Sequence, residues 1–245
     1  MKKIFVMAFN VCLSIVACGL IFTSCIRKKQ DLGKEITKNI KVDSFQDIEV
    51  LGNTYVEIVP GDTFKVVVEG KEQLVNNIVA KVKDGVLTID QKEEKQWRKG
   101  EISFKVFSRK DYWATVRITM PALRCVAVGG NANINTLEPM QGDSVNFTVD
   151  GNGSIDITGL KTKLLQIGVE GNASMDFKNL TAQRTAVTID GNCRLDSHFV
   201  NSGAVEMRID GNASVNLTGT TESEPVCRTN GNSSIVDNTT RMVKK

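Results

Sequence analysis

The sequence predicts an all-β protein whose main part is a right-handed β-helix, or β-solenoid, with about 20 residues in each coil. The first observation is a Gly-Asn dipeptide that recurs at intervals of 21, 20, 20, 20 and 20 residues. Its glycines are Gly130, Gly151, Gly171, Gly191, Gly211 and Gly231. The second is the alternation of apolar and polar residues on both sides of the dipeptide, which is the period of a β-strand.

Each coil is predicted to contain two strands of about six residues, the Gly-Asn turn and a second loop. Stacked coils place equivalent side chains above one another, so each inward position should form a column of similar residues. The predicted columns are Val149, Val169, Ile189 and Ile209; Ile155, Met175, Leu195 and Val215; and the small residues Gly153, Ala173, Cys193, Ala213 and Ser233.

The residues of the turn have separate predicted roles. Glycine supplies the positive φ that a tight corner needs, and asparagine tolerates that conformation best among residues with a side chain. The asparagines are also expected to form a ladder of side-chain amides along the stack. They are Asn152, Asn172, Asn192, Asn212 and Asn232.

The mature chain divides into a degenerate front part at 37–121, a regular solenoid at 122–240 and a tail at 241–245. In the front part, residues 48–58 resemble one coil, and residues 64–70 repeat the apolar pattern of 145–151 and predict the start of another.

Two features of the front part do not follow the repeat. The sequence Lys83-Asp84-Gly85 predicts a β-hairpin, because Asp-Gly suits a type I′ turn. The charged stretch 91–99 is an insertion with no counterpart in the regular coils.

The first 24 residues are predicted to be a lipoprotein signal peptide. Lys2 and Lys3 precede an apolar run from Ile4 to Phe22, and Phe22-Thr23-Ser24-Cys25 resembles the site where bacteria cleave and lipidate a cysteine, with Phe where Leu is usual. Cys25 is therefore the predicted lipidation site, and residues 25–36 are a tether. The alternative is an uncleaved signal anchor, because 19 apolar residues approach the length of a membrane span.

The predicted location is the outer membrane, on its periplasmic face or at the cell surface. Ile26 stands where an aspartate would retain some lipoproteins at the inner membrane. The lipid on Cys25 would make the membrane itself one partner of the chain.

Composition excludes several classes of function. Removing residues 1–24 leaves 29 basic and 28 acidic side chains, so the mature chain offers no basic field for nucleic acid. Cys125, Cys193 and Cys227 remain and allow at most one disulfide. Zinc is not expected, because His198 is the only histidine and no Cys-x-x-Cys motif occurs.

Acidic residues flank the turn in successive coils and would stack like charges. They are Asp150, Glu170, Asp190 and Asp210 before it, and Asp156, Asp176 and Asp196 after it. One hypothesis is a row of calcium ions. The favoured interpretation needs no cofactor, since each acid before the turn would accept hydrogen bonds from turn N–H groups.

An enzyme is the second class considered, because some β-helices are polysaccharide lyases or glycosidases. A catalytic site should interrupt the repeat once, and Arg194 and His198 are the residues that do so. The acids recur in every coil instead, so the sequence favours a protein without catalytic activity.

Aromatic residues outside the regular coils are the candidates for a binding surface. Trp97, Tyr112 and Trp113 lie in or near the charged insertion, and exposed aromatic side chains are favoured at recognition sites. A carbohydrate or an envelope protein is the expected partner. The alternative is that Tyr112 and Trp113 pack over one end of the solenoid as a cap.

Four features of the chain occur together in one known family. They are Phe45-Gln46-Asp47-Ile48, the Val-x-Ile-x-x-Gly stretch from Val56 to Gly61, the strand 116–121 ending in Met-Pro, and the glycine-rich coils from Gly129 onward. With these motifs the chain resembles the auto-transporter adhesin family with the head GIN domain. The resemblance covers about residues 37–240. It implies a β-helix-like solenoid with a surface or periplasmic role, and it supplies no catalytic residues.

Overall fold

The computed structural model describes residues 32–92 and 113–242, of which 72% lie in β-strands and 3% in a helix. The regular part contains β8 (Cys125–Val128), β9 (Asn131–Thr136), β10 (Met140–Val149), β11 (Asn152–Ile157), β12 (Leu160–Val169), β13 (Asn172–Ile189), β14 (Asn192–Ser202), β15 (Ala204–Ile209), β16 (Asn212–Thr221), β17 (Val226–Thr229) and β18 (Ser233–Arg241).

These strands stack as parallel coils about 20 residues apart, which confirms the predicted solenoid of about six turns. Val149 pairs with Val169, Val169 with Ile189, and Ile189 with Ile209. All four side chains are buried. The column that contains Ile155 and Met175 is equally in register, so the predicted columns are confirmed.

The front part contains β1 (Glu35–Ile40), β2 (Asp47–Val50), β3 (Asn53–Pro60), β4 (Lys65–Lys71), the short helix α1 (Glu72–Asn77), β5 (Ile78–Lys83), β6 (Val86–Gln91) and β7 (Thr115–Met120). Strands β2 and β3 form a coil, as expected, and they pair in parallel with β8 and β9. Helix α1 buries Val75 and is not predicted by the strand pattern.

The order of coils in the stack differs from their order in the chain. Strands β6 and β7 pair in parallel with the other edges of β2 and β3, so the coil formed by β2 and β3 lies between β6–β7 and β8–β9. Gln91, at the end of β6, therefore lies at the corner where other coils have Gly-Asn.

Antiparallel strands close the N-terminal end of the stack. Strand β4 pairs antiparallel with both β7 and β1, so the prediction that 64–70 begins a further coil is wrong. An apolar alternation describes only which side chains are buried, and it is the same for either strand direction. Strand β1 begins at Glu35, inside the segment predicted as a tether.

The predicted hairpin is confirmed between β5 and β6. Lys83 pairs with Val86, and the two turn residues Asp84 and Gly85 have φ values of 52° and 77°. Positive φ at both central positions is the requirement of a type I′ turn.

The glycines of the coil corners serve a purpose other than the predicted one. None of the six has a positive φ, so that part of the prediction is wrong. A Cβ built on Gly171 would lie 2.1 Å from the carbonyl oxygen of Gly151, and one on Gly191 would lie 2.1 Å from that of Gly171. Glycine is needed because adjacent coils approach each other backbone to backbone.

The last coil places charged side chains at positions that are buried in the coil before it. Asp237 stands in register with the buried Leu217, and Arg241 with the buried Thr221. The Arg241 Nη1 atom donates to Thr221 Oγ1 at 2.8 Å and to Thr239 Oγ1 at 2.7 Å. This polar network ends the apolar core at the C-terminal coil.

No helix within residues 32–92 and 113–242 combines the length and the hydrophobicity needed to cross a membrane.

Candidate functional site

The asparagines of the corners form a continuous ladder of side-chain amides, as predicted. Each Nδ2 donates to the Oδ1 of the asparagine one coil away, at distances between 2.7 and 3.0 Å. The ladder runs through Asn53, Asn131, Asn152, Asn172, Asn192 and Asn212. It includes Asn53 and Asn131, which were not among the predicted ladder residues. Among the described residues, the predicted member Asn232 does not continue the ladder beyond Asn212.

The ladder leaves hydrogen-bonding capacity facing solvent. An asparagine side chain has two N–H donors and an oxygen with two lone pairs, and the ladder uses one of each in its inner members. All six side chains are exposed. Each coil therefore presents one unused N–H and one unused acceptor position along the same line.

A surface groove of about 890 Å³ runs beside this ladder. Its lining includes the ladder on one side and Asn133, Ser154 and Ser174 on the other. The small-residue column supplies the floor at Ala132, Gly153, Ala173 and Cys193. A Cβ built on Gly153 would meet Val149 and Val128 in the core, so this column points inward beneath the groove.

Trp113 lines one end of the groove and is half-buried. Thr115 pairs with Tyr55, so counting back two residues places Trp113 in register with Asn53 at the end of the ladder. Of the three aromatic residues predicted to form a binding surface, Trp113 thus lines the groove. That Trp113 binds a ligand stays a prediction. Trp97 and Tyr112 lie outside the described residues.

The groove carries little charge. Arg194 is the one charged residue in its described lining, and its Nε atom pairs with Asp196 Oδ2 at 2.8 Å. Burial raises the pKa of the Cys193 thiol in the floor to about 12, so this thiol is neutral at physiological pH. Cys125, Cys193 and Cys227 are all free thiols.

A second groove of about 890 Å³ lies at another corner of the coils. Its described lining includes Asp143, Lys161, Lys163 and Glu222, and it contains no aromatic side chain. The mixture of charges and the lack of an aromatic platform make it the weaker candidate for a recognition site.

The acids before the turn do not form the predicted turn motif. The N–H groups of Gly171 and Asn172 donate to the carbonyl oxygens of Val149 and Gly151 in the neighbouring coil, at 3.0 and 2.9 Å. The prediction that Glu170 and its equivalents accept these bonds is wrong, because the stacking of coils already satisfies the donors.

The acids after the turn form a column in register. Asp156 pairs with Asp176 and Asp176 with Asp196, while Asn135 and Asn216 continue the column on either side. Burial raises the pKa of Asp176, and the neighbouring Asp156 and Asp196 carboxylates raise it further. Among residues 32–92 and 113–242, no group of three acids, cysteines or histidines could hold a metal ion. The calcium hypothesis stays a prediction.

Replacing Asp176 by Asn should stabilise the protein at pH 7 by about 0.2–1 kcal/mol, because it removes like-charge repulsion. The pKa of Asp176 is higher in the folded than in the unfolded protein, so the wild type loses stability as the pH rises through the folded-state pKa. The two proteins should therefore converge at about pH 3, below the unfolded pKa of an aspartate. Urea unfolding at both pH values, in buffer with a chelator, measures the difference. A less stable variant at pH 7 would instead show that the carboxylate makes a favourable contact.

Arg194 and His198, the candidates for lyase chemistry, share the outward face of β14 but make separate contacts. Arg194 is paired with Asp196, while His198 Nδ1 lies 3.0 Å from Thr218 Oγ1. Four residues along a strand separate the two by about 13 Å. The structure therefore does not bring them together as one site.

Parallel coils with an open groove along one corner define the protein as a β-solenoid with a surface cleft. Residues 44–223 match the family described as "Putative auto-transporter adhesin, head GIN domain". The chain belongs to this family, as the resemblance in its motifs indicated. No curated protein matches the chain.

Two solved structures share the fold. One is described as a "putative adhesin" from Bacteroides fragilis NCTC 9343, with 17% identity, a TM-score of 0.59, and coverage of 88% of this chain and 100% of that chain. The other is a "putative adhesin" from Parabacteroides distasonis ATCC 8503, with 21% identity, a TM-score of 0.53, and coverage of 86% and 98%. Neither description names an enzyme.

Proposed function

We propose that the protein is a non-catalytic, glycan-binding protein of the cell envelope whose binding site is the groove beside the asparagine ladder. The observation that carries this proposal is the line of asparagine amides, each inner one with a free N–H and a free acceptor position, that ends at the half-buried Trp113.

Glycans match both parts of this surface. Sugar hydroxyl groups donate and accept hydrogen bonds, so they can use the free donor and acceptor that each asparagine presents. The apolar face of a pyranose ring can stack on an indole ring, which offers a large rigid contact area. A groove with one paired charge in its described lining favours a neutral ligand over an anionic one.

The absence of a coupled acid and base in the described lining of the groove supports binding rather than catalysis. Most glycoside hydrolases use two carboxyl groups, one on either side of the scissile bond. The described lining of the groove contains no Asp or Glu. The description of the family and those of the two solved structures reported above are also those of adhesins.

The proposal includes a lipid tether at Cys25 and a location at the outer membrane. Its support is the sequence Phe22-Thr23-Ser24-Cys25 after the apolar run, together with the adhesin description of the family. Only nine residues separate Cys25 from the start of β1 at Glu35, so the tether would hold the solenoid near the bilayer.

Trp113→Ala should weaken binding to a soluble neutral polysaccharide by about 5- to 30-fold, which corresponds to the 1–2 kcal/mol typical of an aromatic contact residue. Affinity electrophoresis and calorimetry with xylan, mixed-linkage β-glucan and glycol chitin would measure it. Leu137→Ala is the matched control, because this side chain is 49% exposed and does not line the groove. Equal binding by wild type and Trp113→Ala, or no binding to any of the three polymers, would contradict the proposal.

A further inference from the structure

We infer that the groove binds an extended β-1,4-linked glycan parallel to the stacking axis, with one pyranose unit at each coil. This inference rests on the proposed glycan-binding function and goes beyond it, because it fixes the class of chain, its direction and the number of units bound.

The spacing of the ladder is the first support. Neighbouring strands of a sheet lie about 4.8 Å apart, so six successive asparagines span five steps and about 24 Å. The amide hydrogen bonds between coils, at 2.7–3.0 Å, hold the side chains at that spacing. A pyranose unit in an extended β-1,4-linked chain advances by nearly the same distance.

The repeated chemistry is the second support. Each coil contributes one ladder asparagine, and each inner one offers one free N–H and one free acceptor position. Ser154 and Ser174 line the opposite side of the groove. In an extended β-1,4-linked chain each unit is flipped relative to the one before it, so the same hydroxyl or acetamido group faces the ladder at every second unit and a different polar group faces it at the units between. Because each inner asparagine offers both a donor and an acceptor position, either orientation of a unit can form a hydrogen bond in its coil.

Trp113 lies at one end of the ladder and therefore fixes where the first sugar unit binds. It occupies the coil that precedes Asn53, and in the described structure it is the one aromatic side chain that lines the groove. A unit stacked on Trp113 would be followed by units at Asn53, Asn131 and Asn152 in order. The distance from Trp113 then determines which asparagine a chain of given length can reach.

The test uses cello-oligosaccharides and chito-oligosaccharides of two to six units, measured by calorimetry on the full mature chain. The third unit from Trp113 lies at Asn131 and the sixth at Asn192. Asn131→Ala should weaken binding of the trisaccharide and all longer chains by about 2- to 12-fold, the range for loss of one hydrogen bond. Asn192→Ala should weaken only the hexasaccharide.

The short chains serve as an internal control for Asn192→Ala, because a variant with a disturbed fold would lose binding at every length. Asn146→Ala, which changes an outward amide on another face, is the control for asparagine substitution itself. Unchanged melting temperatures of all three variants would confirm that the ladder tolerates the change.

The outcomes separate this inference from the proposed function. Affinity that rises with each unit, together with the length-dependent effect of Asn192→Ala, would support both. Trp113-dependent binding with equal affinity for all lengths would overturn the inference and leave the proposed function standing. Binding of a polysaccharide but of neither oligosaccharide series would also overturn the inference. No binding of any glycan would overturn both.

Discussion

Gly171→Ala is expected to lower the free energy of unfolding by about 3 kcal/mol or more, as severe overpacking does. The added Cβ would lie 2.1 Å from the carbonyl oxygen of Gly151 and 2.4 Å from that of Asp150. Both contacts are with backbone, so no side chain can rotate to make room. Two coils would have to move apart, and the hydrogen bonds from Gly171 and Asn172 to the neighbouring coil would lengthen.

Gly168→Ala is the matched control for this substitution. It lies three residues earlier in the same coil, and its added Cβ would meet only a methyl group of Thr148 at 3.6 Å. Replacing this glycine restricts the unfolded chain, so the variant should be unchanged or more stable by about 0.4–1 kcal/mol. Thermal and urea unfolding followed by circular dichroism would measure both variants. Equal stability of Gly171→Ala and wild type would show that the coils do not depend on close backbone contact.

Cys25→Ser is expected to abolish lipid attachment completely. Only a thiol at this position can receive the lipid, and each buried methylene of an acyl chain contributes about 0.8 kcal/mol to membrane binding. Growth with an alkyne fatty acid in a bacterium that processes lipoproteins should label the wild-type chain and leave Cys25→Ser unlabelled. Mass spectrometry of the wild type should find an acylated N-terminal peptide that begins at Cys25.

Cys18→Ser is the control, because this thiol lies within the segment predicted to be removed. Labelling of Cys18→Ser should equal that of the wild type. If neither the wild type nor the control were labelled, and both kept the full 26.8 kDa chain, residues 4–22 would be a signal anchor instead.

The regular coils could be predicted from the sequence because one spacing fixes both the turn and the register. A period of 20 residues places Val149 and Val169 in one column, and a shift by one residue would expose both. The front part could not be predicted in the same way. Strand β2 pairs with β6 and β8, which lie far from it in the chain, and its own apolar pattern does not specify those partners.

The candidate site was only partly predictable. Trp113 could be singled out as an aromatic residue outside the repeat, and the Asn152–Asn212 part of the ladder follows from the period. Asn53 carries the same Gly-Asn signal, but its bond to Asn131 joins residues 78 positions apart. The groove depends on the three-dimensional shape of the corner and on the position of Trp113 at its end, and residue spacing shows neither.

The polar network of the last coil determines how long the stack can grow. A second molecule that added its own strands beyond β18 would have to enclose the Asp237 carboxylate and the Arg241 guanidinium, away from water. Desolvating charged groups is costly unless every partner is satisfied. This cost opposes the addition of a second copy to the stack at β18.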